Sequence, residues 1–140
     1  MVYVDTSVLV AYYCPEPLSE KVEAYLTAHV QPFISALTEI ELFSAVSKKV
    51  RTKEMKRKDA GRVVARFLAD MENGYYTYLP VEASCFRLAR DWIGMFKLSL
   101  RTLDALHLAI ASSQGFSIVT TDKSLSKSAK GLGLSSILLE

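Results

Sequence analysis

Residues 2–13, VYVDTSVLVAYY, place one acid between two apolar runs at the start of the chain. Val2–Val4 carries only apolar and aromatic side chains, which is typical of a strand buried on both faces of a parallel sheet. Asp5 follows this strand directly, and the hydroxyl residues Thr6 and Ser7 come next. Ligands of parallel α/β folds bind beyond the carboxyl ends of the strands. Asp5 therefore either caps a helix that starts at Thr6 or Ser7, or lies in such a crevice.

The rest of the chain alternates short β-rich runs with long helical patterns. Further strands are predicted over residues 32–35, 76–79, 117–119 and 137–139, and helices over 18–29, 38–51, 56–71, 82–96, 102–114 and 122–130. Ser19 and Thr102 suit helix N-caps, and Gly115 suits the position after a helix. This order predicts an α/β fold, a three-layer α/β/α sandwich with a central parallel sheet of about five strands. Without a linker, residues 1–140 are predicted to form a single domain.

The composition is that of a folded protein, and a cytoplasmic location is expected. Half of the residues are hydrophobic and 23% are charged. No apolar run reaches the roughly 18 residues that a membrane span needs, and the start of the chain lacks the basic segment of a signal peptide. Cys14 and Cys85 match neither a disulfide framework nor a zinc spacing, so two reduced thiols are expected.

One segment is strongly basic although the net charge is only +2. Its basic side chains are Lys48, Lys49, Arg51, Lys53, Lys56, Arg57, Lys58, Arg62 and Arg66, opposed there only by Glu54 and Asp59. Charge alone fits either a nucleic-acid-binding surface or the solvated face of a helical hairpin. On the first interpretation, residues Lys48, Lys49, Arg51, Lys53, Lys56, Arg57 and Lys58 are the candidates for binding nucleic acid.

Acidic residues recur where predicted strands end. Asp5 follows the first strand, Glu39 and Glu41 open the helix after the second, Asp104 begins the helix 102–114, and Asp122 follows the strand 117–119. Each acid alone is explained as a cap or a first-turn residue. Converging carboxylates repel one another unless they share protons or bind a cation. Oxygen-only ligands suit Mg²⁺ or Mn²⁺, and the absence of His or Cys at comparable positions disfavours zinc.

Neighbouring side chains refine this picture. The hydroxyls of Thr6, Ser7, Thr120 and Thr121 are predicted to hydrogen-bond the carboxylates and orient them. Residues two apart on a helix do not face each other, and the helix pattern places Glu41, not Glu39, beside the strand exit. His107 shares a helix face with Asp104 and is either a general acid or base or, as its apolar surroundings favour, a hydrogen-bonded structural histidine.

A carboxylate-rich cation site beside a basic surface suggests chemistry on a phosphodiester. The chain has no glycine-rich phosphate loop, dinucleotide fingerprint or serine nucleophile elbow. Four stretches, VYVDTSVLVAYY, ISALTEIELFSAV, LRTLDALHLAIA and IVTTDKSL, occur in this order. Together they resemble a PIN domain, in particular the VapC-type toxins of toxin–antitoxin pairs, and the resemblance extends over essentially the whole chain.

The resemblance implies roles for individual residues. Asp5, Glu41, Asp104 and Asp122 match the four acids of the family, which hold the metal and form the catalytic site. Thr120 matches a hydroxyl of the last motif, and Thr6 or Ser7 the hydroxyl after the first aspartate. Glu39 matches a variable position and receives no role. The stretch KSLSKSAK after Asp122 lacks the aromatic and the arginine often found there in VapC toxins.

The family implies a Mg²⁺- or Mn²⁺-dependent endoribonuclease that forms a homodimer and usually has a VapB-type antitoxin as a partner. Two other functions stay open. One is a non-catalytic PIN-like module that binds RNA or assembles complexes, although such a module would be expected to lose acids. The other is a phosphatase for small phosphate esters, which needs a second acid two residues after its aspartyl nucleophile, where this chain has Ser7.

Overall fold

The computed structural model describes residues 1–28 and 31–140. The helices and strands follow in the order β1 (Val2–Val4), α1 (Thr6–Tyr13), α2 (Ser19–Ala28), β2 (Pro32–Ser35), α3 (Ala36–Arg51), α4 (Arg57–Glu72), β3 (Thr77–Leu79), α5 (Ala83–Ile93), α6 (Thr102–Ser113), β4 (Ser117–Thr120), α7 (Lys123–Gly131) and β5 (Ser136–Leu138). Each predicted strand and helix has a counterpart here. The last residue of the predicted helix 18–29, His29, lies outside the described residues.

All strand pairs are parallel, and the strands lie side by side in the order β3–β2–β1–β4–β5. The chain moves outward from β1 through β2 to β3 and then returns to β4 on the other side of β1. A crevice therefore opens between the carboxyl ends of β1 and β4, where the strand order reverses. Val4 pairs with Val119, so the residues that follow these strands emerge side by side.

The central strand β1 divides two hydrophobic cores. Val2 and Val4 pack with residues of α1, α2, α3 and α4 on one face of the sheet. Tyr3 points to the opposite face and packs with residues of α5, α6 and α7. This confirms the predicted three-layer α/β/α sandwich with a five-stranded parallel sheet. None of the helices within residues 1–28 and 31–140 combines the length and apolar character of a membrane span.

Two predicted N-caps are wrong. Ser19 is the first residue of α2, and its hydroxyl donates to the carbonyl oxygen of Ala11 at 2.6 Å, so it fixes the turn after α1 instead of capping α2. Thr102 lies inside α6, whose N-cap is Arg101. Both helices begin one residue earlier than the N-cap preference of Ser and Thr predicts.

The predicted helix 82–96 is also too long. α5 ends at Ile93, and Gly94 is its C-cap. Phe96 then adopts a φ of +54°, a left-handed conformation that cannot continue a right-handed helix. The remaining residues form the loop that leads to α6.

Two glycines test the backbone requirements of this fold. Gly115 follows α6 with a φ of +69°, whereas Gly61 lies inside α4, and no atom would touch a Cβ added at either position. We predict that Gly115→Ala lowers the free energy of unfolding by about 1–2 kcal/mol, the cost of a left-handed Cβ. The matched Gly61→Ala should raise it by about 0.5–1 kcal/mol through helix propensity. Urea titrations measure both, and a destabilised Gly61→Ala or a stabilised Gly115→Ala would contradict this assignment.

Candidate functional site

Asp5 lies in the crevice between β1 and β4. It occupies the N-cap position of α1, but its side chain makes no capping hydrogen bond. Instead Oδ2 accepts hydrogen bonds from the hydroxyls of Ser7 at 2.6 Å and Thr120 at 2.8 Å. Oδ1 lies 4.0 Å from Nε2 of His107. Only 7% of Asp5 is exposed, so the two hydroxyls fix one edge of an almost buried carboxylate.

The hydroxyls at the strand ends divide between two acids. Ser7 also contacts the hydroxyl of Thr120 at 3.2 Å and accepts a hydrogen bond from the backbone N–H of Thr121 at 3.0 Å. Thr6 instead donates to Oε1 of Glu41 at 2.9 Å. Consecutive helical residues point about 100° apart, so Thr6 and Ser7 at the start of α1 reach different carboxylates.

Glu41 projects from the second turn of α3 and accepts hydrogen bonds from Thr6 and from Nε2 of His107. Burial acts to raise the pKa of Glu41, but the hydrogen bond and electrostatic attraction of His107, together with the Thr6 hydroxyl, lower it below its ordinary value. The side chain is therefore held as a carboxylate. Glu39 points elsewhere and accepts a hydrogen bond from Tyr78 on β3.

Asp104 stands in the first turn of α6 and lines a cleft of about 610 Å³ together with Glu41 and Arg101. Burial and the negative charges of Asp122 and Asp5 raise its pKa, although Arg101, with Nε 3.9 Å from Oδ2, opposes the shift. Asp5 and Asp122, from distant parts of the chain, are therefore both close enough to repel Asp104. Asp5 and Asp122 follow β1 and β4, whereas Asp104 follows the loop after α5, so strand-end positions account for only two of these acids.

Asp122 caps α7, as one of the two interpretations of this residue predicted. Its Oδ1 accepts hydrogen bonds from the backbone N–H groups of Ser124 at 2.8 Å and Leu125 at 3.3 Å. No residue within 1–28 or 31–140 donates a hydrogen bond to Oδ2. The helix N-terminus thus fixes one oxygen of Asp122, and the second oxygen is available to a ligand.

The donor set matches a hard divalent cation, because it consists of carboxylate oxygens that repel one another. No three Asp, Glu, His or Cys side chains among the described residues are placed to hold an ion together. Hydrogen bonds already engage Oδ2 of Asp5, Oε1 of Glu41 and Oδ1 of Asp122. To share one ion, these acids would have to rotate or bind it through bridging water molecules.

A buried polar network that the sequence did not reveal lies beneath these acids. The Tyr3 hydroxyl contacts Ser35 Oγ at 2.9 Å, Thr38 Oγ1 at 3.1 Å and His107 Nδ1 at 2.7 Å. We call these four residues the polar hub. All are buried, and His107 is hydrogen-bonded, as its apolar surroundings favoured. The available signal was a tyrosine in the middle of an otherwise aliphatic strand.

The basic segment spans the end of α3, the connection 52–56 and the start of α4. Most of its predicted nucleic-acid-binding residues are exposed, namely Lys48, Arg51, Lys53, Lys56, Arg57 and Lys58. Lys49 differs, because its Nζ pairs with Glu16 at 3.0 Å and Glu54 at 3.7 Å. A cleft of about 370 Å³ runs along α1 and is lined by Ser7, Thr121 and Glu16 among others.

Comparison with known proteins identifies relatives over nearly the whole chain. A family model described as PIN domain matches residues 2–131. Ribonuclease VapC46 from Mycobacterium tuberculosis is 34% identical over 139 residues, which cover 97% of this chain and 95% of that protein.

Two solved structures share the fold at lower identity. VapC20 from Mycobacterium tuberculosis, described as a toxin that cleaves the sarcin-ricin loop, superposes with a TM-score of 0.73 at 16% identity, covering 91% of this chain and 95% of that chain. A toxin–antitoxin complex from Klebsiella pneumoniae gives a TM-score of 0.71 at 16% identity, covering 100% and 98%.

Proposed function

Because the chain belongs to the PIN domain family, we propose that it is a Mg²⁺- or Mn²⁺-dependent endoribonuclease and the toxin of a toxin–antitoxin pair. The name of its relative at 34% identity, ribonuclease VapC46, supports cleavage of RNA. The observation that carries the proposal is the burial of Asp104 near the negative charges of Asp122 and Asp5, which together raise the pKa of Asp104. A bound cation would remove this repulsion. Residues 1–140 would act as one PIN domain.

The four acids would divide the work. Asp5, Asp104 and Asp122 would hold the ion directly or through water, and Thr120 and Ser7 would orient Asp5 through hydrogen bonds. The ion would activate water and stabilise charge on the attacked phosphate. Glu41 would orient the attacking water or hold a second ion. In-line attack on phosphorus would displace the 3′-oxygen and leave 5′-phosphate and 3′-hydroxyl ends.

The test of the proposed function is cleavage of RNA by the purified chain. With Mg²⁺ or Mn²⁺ present, the chain should produce fragments that carry 5′-phosphate ends, which a 5′-phosphate-dependent exonuclease then degrades. EDTA should stop the reaction, and an excess of Mg²⁺ should restore it. Cleavage that persists in EDTA, or products with 2′,3′-cyclic phosphate ends, would contradict the proposed mechanism.

A non-catalytic RNA-binding module is the second candidate function. It is favoured by the hydrogen bonds that already engage Glu41 and Asp122, and because no three acidic, His or Cys side chains among the described residues are placed to hold an ion together. RNA binding without cleavage, at any concentration of Mg²⁺ or Mn²⁺, would establish this alternative.

The proposal includes two protein partners. The Klebsiella pneumoniae relative of this fold was solved as a toxin–antitoxin complex, which supports a VapB-type antitoxin here. The family resemblance implies a homodimer, and the large exposed hydrophobic side chains, including Ile40, Phe86, Phe96 and Leu103, are candidates for its interface. Sedimentation velocity should give the mass of a dimer for the isolated chain, and a monomer at every concentration would contradict this part of the proposal.

A further inference from the structure

We infer that Tyr3 and His107 are positioning residues, whose hydrogen bonds fix the position of Glu41 relative to Asp5 and Asp104. This inference rests on the proposed function. The Tyr3 side chain has no exposed surface, and His107 is 1% exposed. Neither side chain can therefore reach substrate. Their effect on the acidic site must pass through hydrogen bonds within the protein.

The hydroxyl of Tyr3 uses its full hydrogen-bonding capacity. A phenol has one proton to donate and two lone pairs to accept with. It has three partners, Ser35 Oγ at 2.9 Å, Thr38 Oγ1 at 3.1 Å and His107 Nδ1 at 2.7 Å. A phenylalanine would fill the same volume but would leave these buried polar groups without their shared partner. Unpaired groups of this kind are costly in a core.

His107 passes this restraint to the acidic site. Its Nε2 contacts Oε1 of Glu41, and because a carboxylate can only accept, Nε2 carries a proton in either charge state of the ring. When the ring is neutral, Nδ1 accepts from the Tyr3 hydroxyl, which in turn accepts from Ser35 or Thr38. The hydrogen bonds thus run in one direction from the start of α3 to the carboxylate of Glu41.

The polar hub joins the three elements that deliver these acids. Tyr3 lies on β1, two residues before Asp5, and His107 lies on α6, three residues after Asp104. Ser35 and Thr38 form the capping box that begins α3, the helix that carries Glu41, with Ser35 N–H donating to Thr38 Oγ1 at 3.2 Å. Because one hydroxyl group contacts all three elements, a shift of any of them strains the others. The hub therefore sets the relative positions of the three carboxylates.

Tyr3→Phe tests the inference, with Tyr13→Phe as its matched control. The Tyr13 hydroxyl is likewise buried and hydrogen-bonded, to Asp70 at 2.6 Å and Tyr76 at 2.8 Å, but it contacts none of the proposed site residues. Mn²⁺ binding is measured by the EPR signal of the free ion, and RNA cleavage is measured against Mg²⁺ concentration. Tyr3→Phe should weaken Mn²⁺ binding and raise the half-saturating Mg²⁺ concentration about 10-fold, the usual effect of losing a group that orients a metal ligand. Tyr13→Phe should change neither.

A pair of variants at His107 keeps the test decisive if Tyr3→Phe does not fold. His107→Leu removes the donor to Glu41 and should behave like Tyr3→Phe. His107→Gln retains an N–H at the position of Nε2 and should restore most of the Mn²⁺ affinity. If Tyr3 and His107 had a purely structural role, both Tyr variants would have a lower melting temperature. His107→Leu and His107→Gln would then bind Mn²⁺ with the same affinity.

Mn²⁺ binding within about twofold of wild type in Tyr3→Phe and His107→Leu would overturn the inference. The inference would also be overturned if Tyr3→Phe and Tyr13→Phe lost the same Mn²⁺ affinity, or if His107→Gln bound Mn²⁺ as weakly as His107→Leu. A wild-type chain that binds no Mn²⁺ would overturn it as well. If the wild-type chain binds Mn²⁺ but never cleaves RNA, the proposed function fails, and the Mn²⁺ affinities of these variants still decide the role of the hub.

Discussion

Asp104→Asn should lower the rate of Mg²⁺-dependent RNA cleavage by more than about 100-fold, because losing groups that merely support a metal ligand already costs about 10–100-fold. The fold should survive. The raised pKa of Asp104 means that its charged form is disfavoured in the folded state relative to the unfolded state. This carboxyl therefore favours folding at low pH and loses that contribution as the pH rises through its folded-state pKa. At neutral pH, Asn removes an unfavourable charge, so the variant in EDTA should melt at or slightly above the wild-type temperature.

Asp91→Asn is the matched control for this prediction. Asp91 is an exposed acid on α5 that pairs with Arg90 at 2.9 Å, outside the acidic site. The Asp91→Asn variant should cleave RNA at the wild-type rate and have a melting temperature similar to that of the wild type. RNA cleavage near the wild-type rate by Asp104→Asn would contradict the proposed role of Asp104. A strongly destabilised Asp104→Asn would show instead that its carboxylate stabilises the fold.

Reversing the charge of Lys56, Arg57 and Lys58 together to Glu should weaken RNA binding at low salt by at least about 10-fold. The three residues are exposed at the start of α4 and have no acidic partner within 4.0 Å among the described residues. If each of them neutralises one phosphate, the dependence of log affinity on log salt concentration should flatten by about 2 for single-stranded RNA. Fluorescence anisotropy at several salt concentrations, with the inactive Asp104→Asn background, measures both quantities.

A second triple variant separates local contacts from net charge. Arg87, Lys127 and Lys130 are also exposed, on α5 and α7, and reversing them to Glu changes the net charge by the same amount. This control should lower RNA affinity much less. If both triple variants weaken binding equally, or neither does, the basic segment is the solvated face of the α3–α4 hairpin and has no specific role in RNA binding.

The fold follows from local patterns in the sequence. The all-apolar Val2–Val4 run predicted a strand buried on both faces, and the five-stranded parallel sheet has it at the centre. The family was also identified from four short stretches, and the match over residues 2–131 confirms it. Strand-end positions further predicted that Asp5 and Asp122 approach each other, since the parallel strands β1 and β4 end at one edge of the sheet. The predicted convergence of Asp104 with them had no such basis, because Asp104 follows the loop after α5.

The sequence could not show how hydrogen bonds are shared within the site. Whether Thr6 or Ser7 supports Asp5 depends on the helical phase of α1, which in turn depends on where that helix begins. The contacts of Tyr3 with Ser35, Thr38 and His107 join residues 32 to 104 positions apart. No local pattern encodes contacts of such long range. The pairing of Lys49 with Glu16 is missed for the same reason.

The central claim is that Asp5, Asp104 and Asp122 converge on a cation, and a crystal of the chain grown with Mn²⁺ tests it most directly. Data collected at the manganese absorption edge should give an anomalous peak within coordination distance of oxygens from at least two of these aspartates, and the peak should be lost in Asp104→Asn. An anomalous peak elsewhere, or none at a Mn²⁺ concentration that supports RNA cleavage, would contradict the claim.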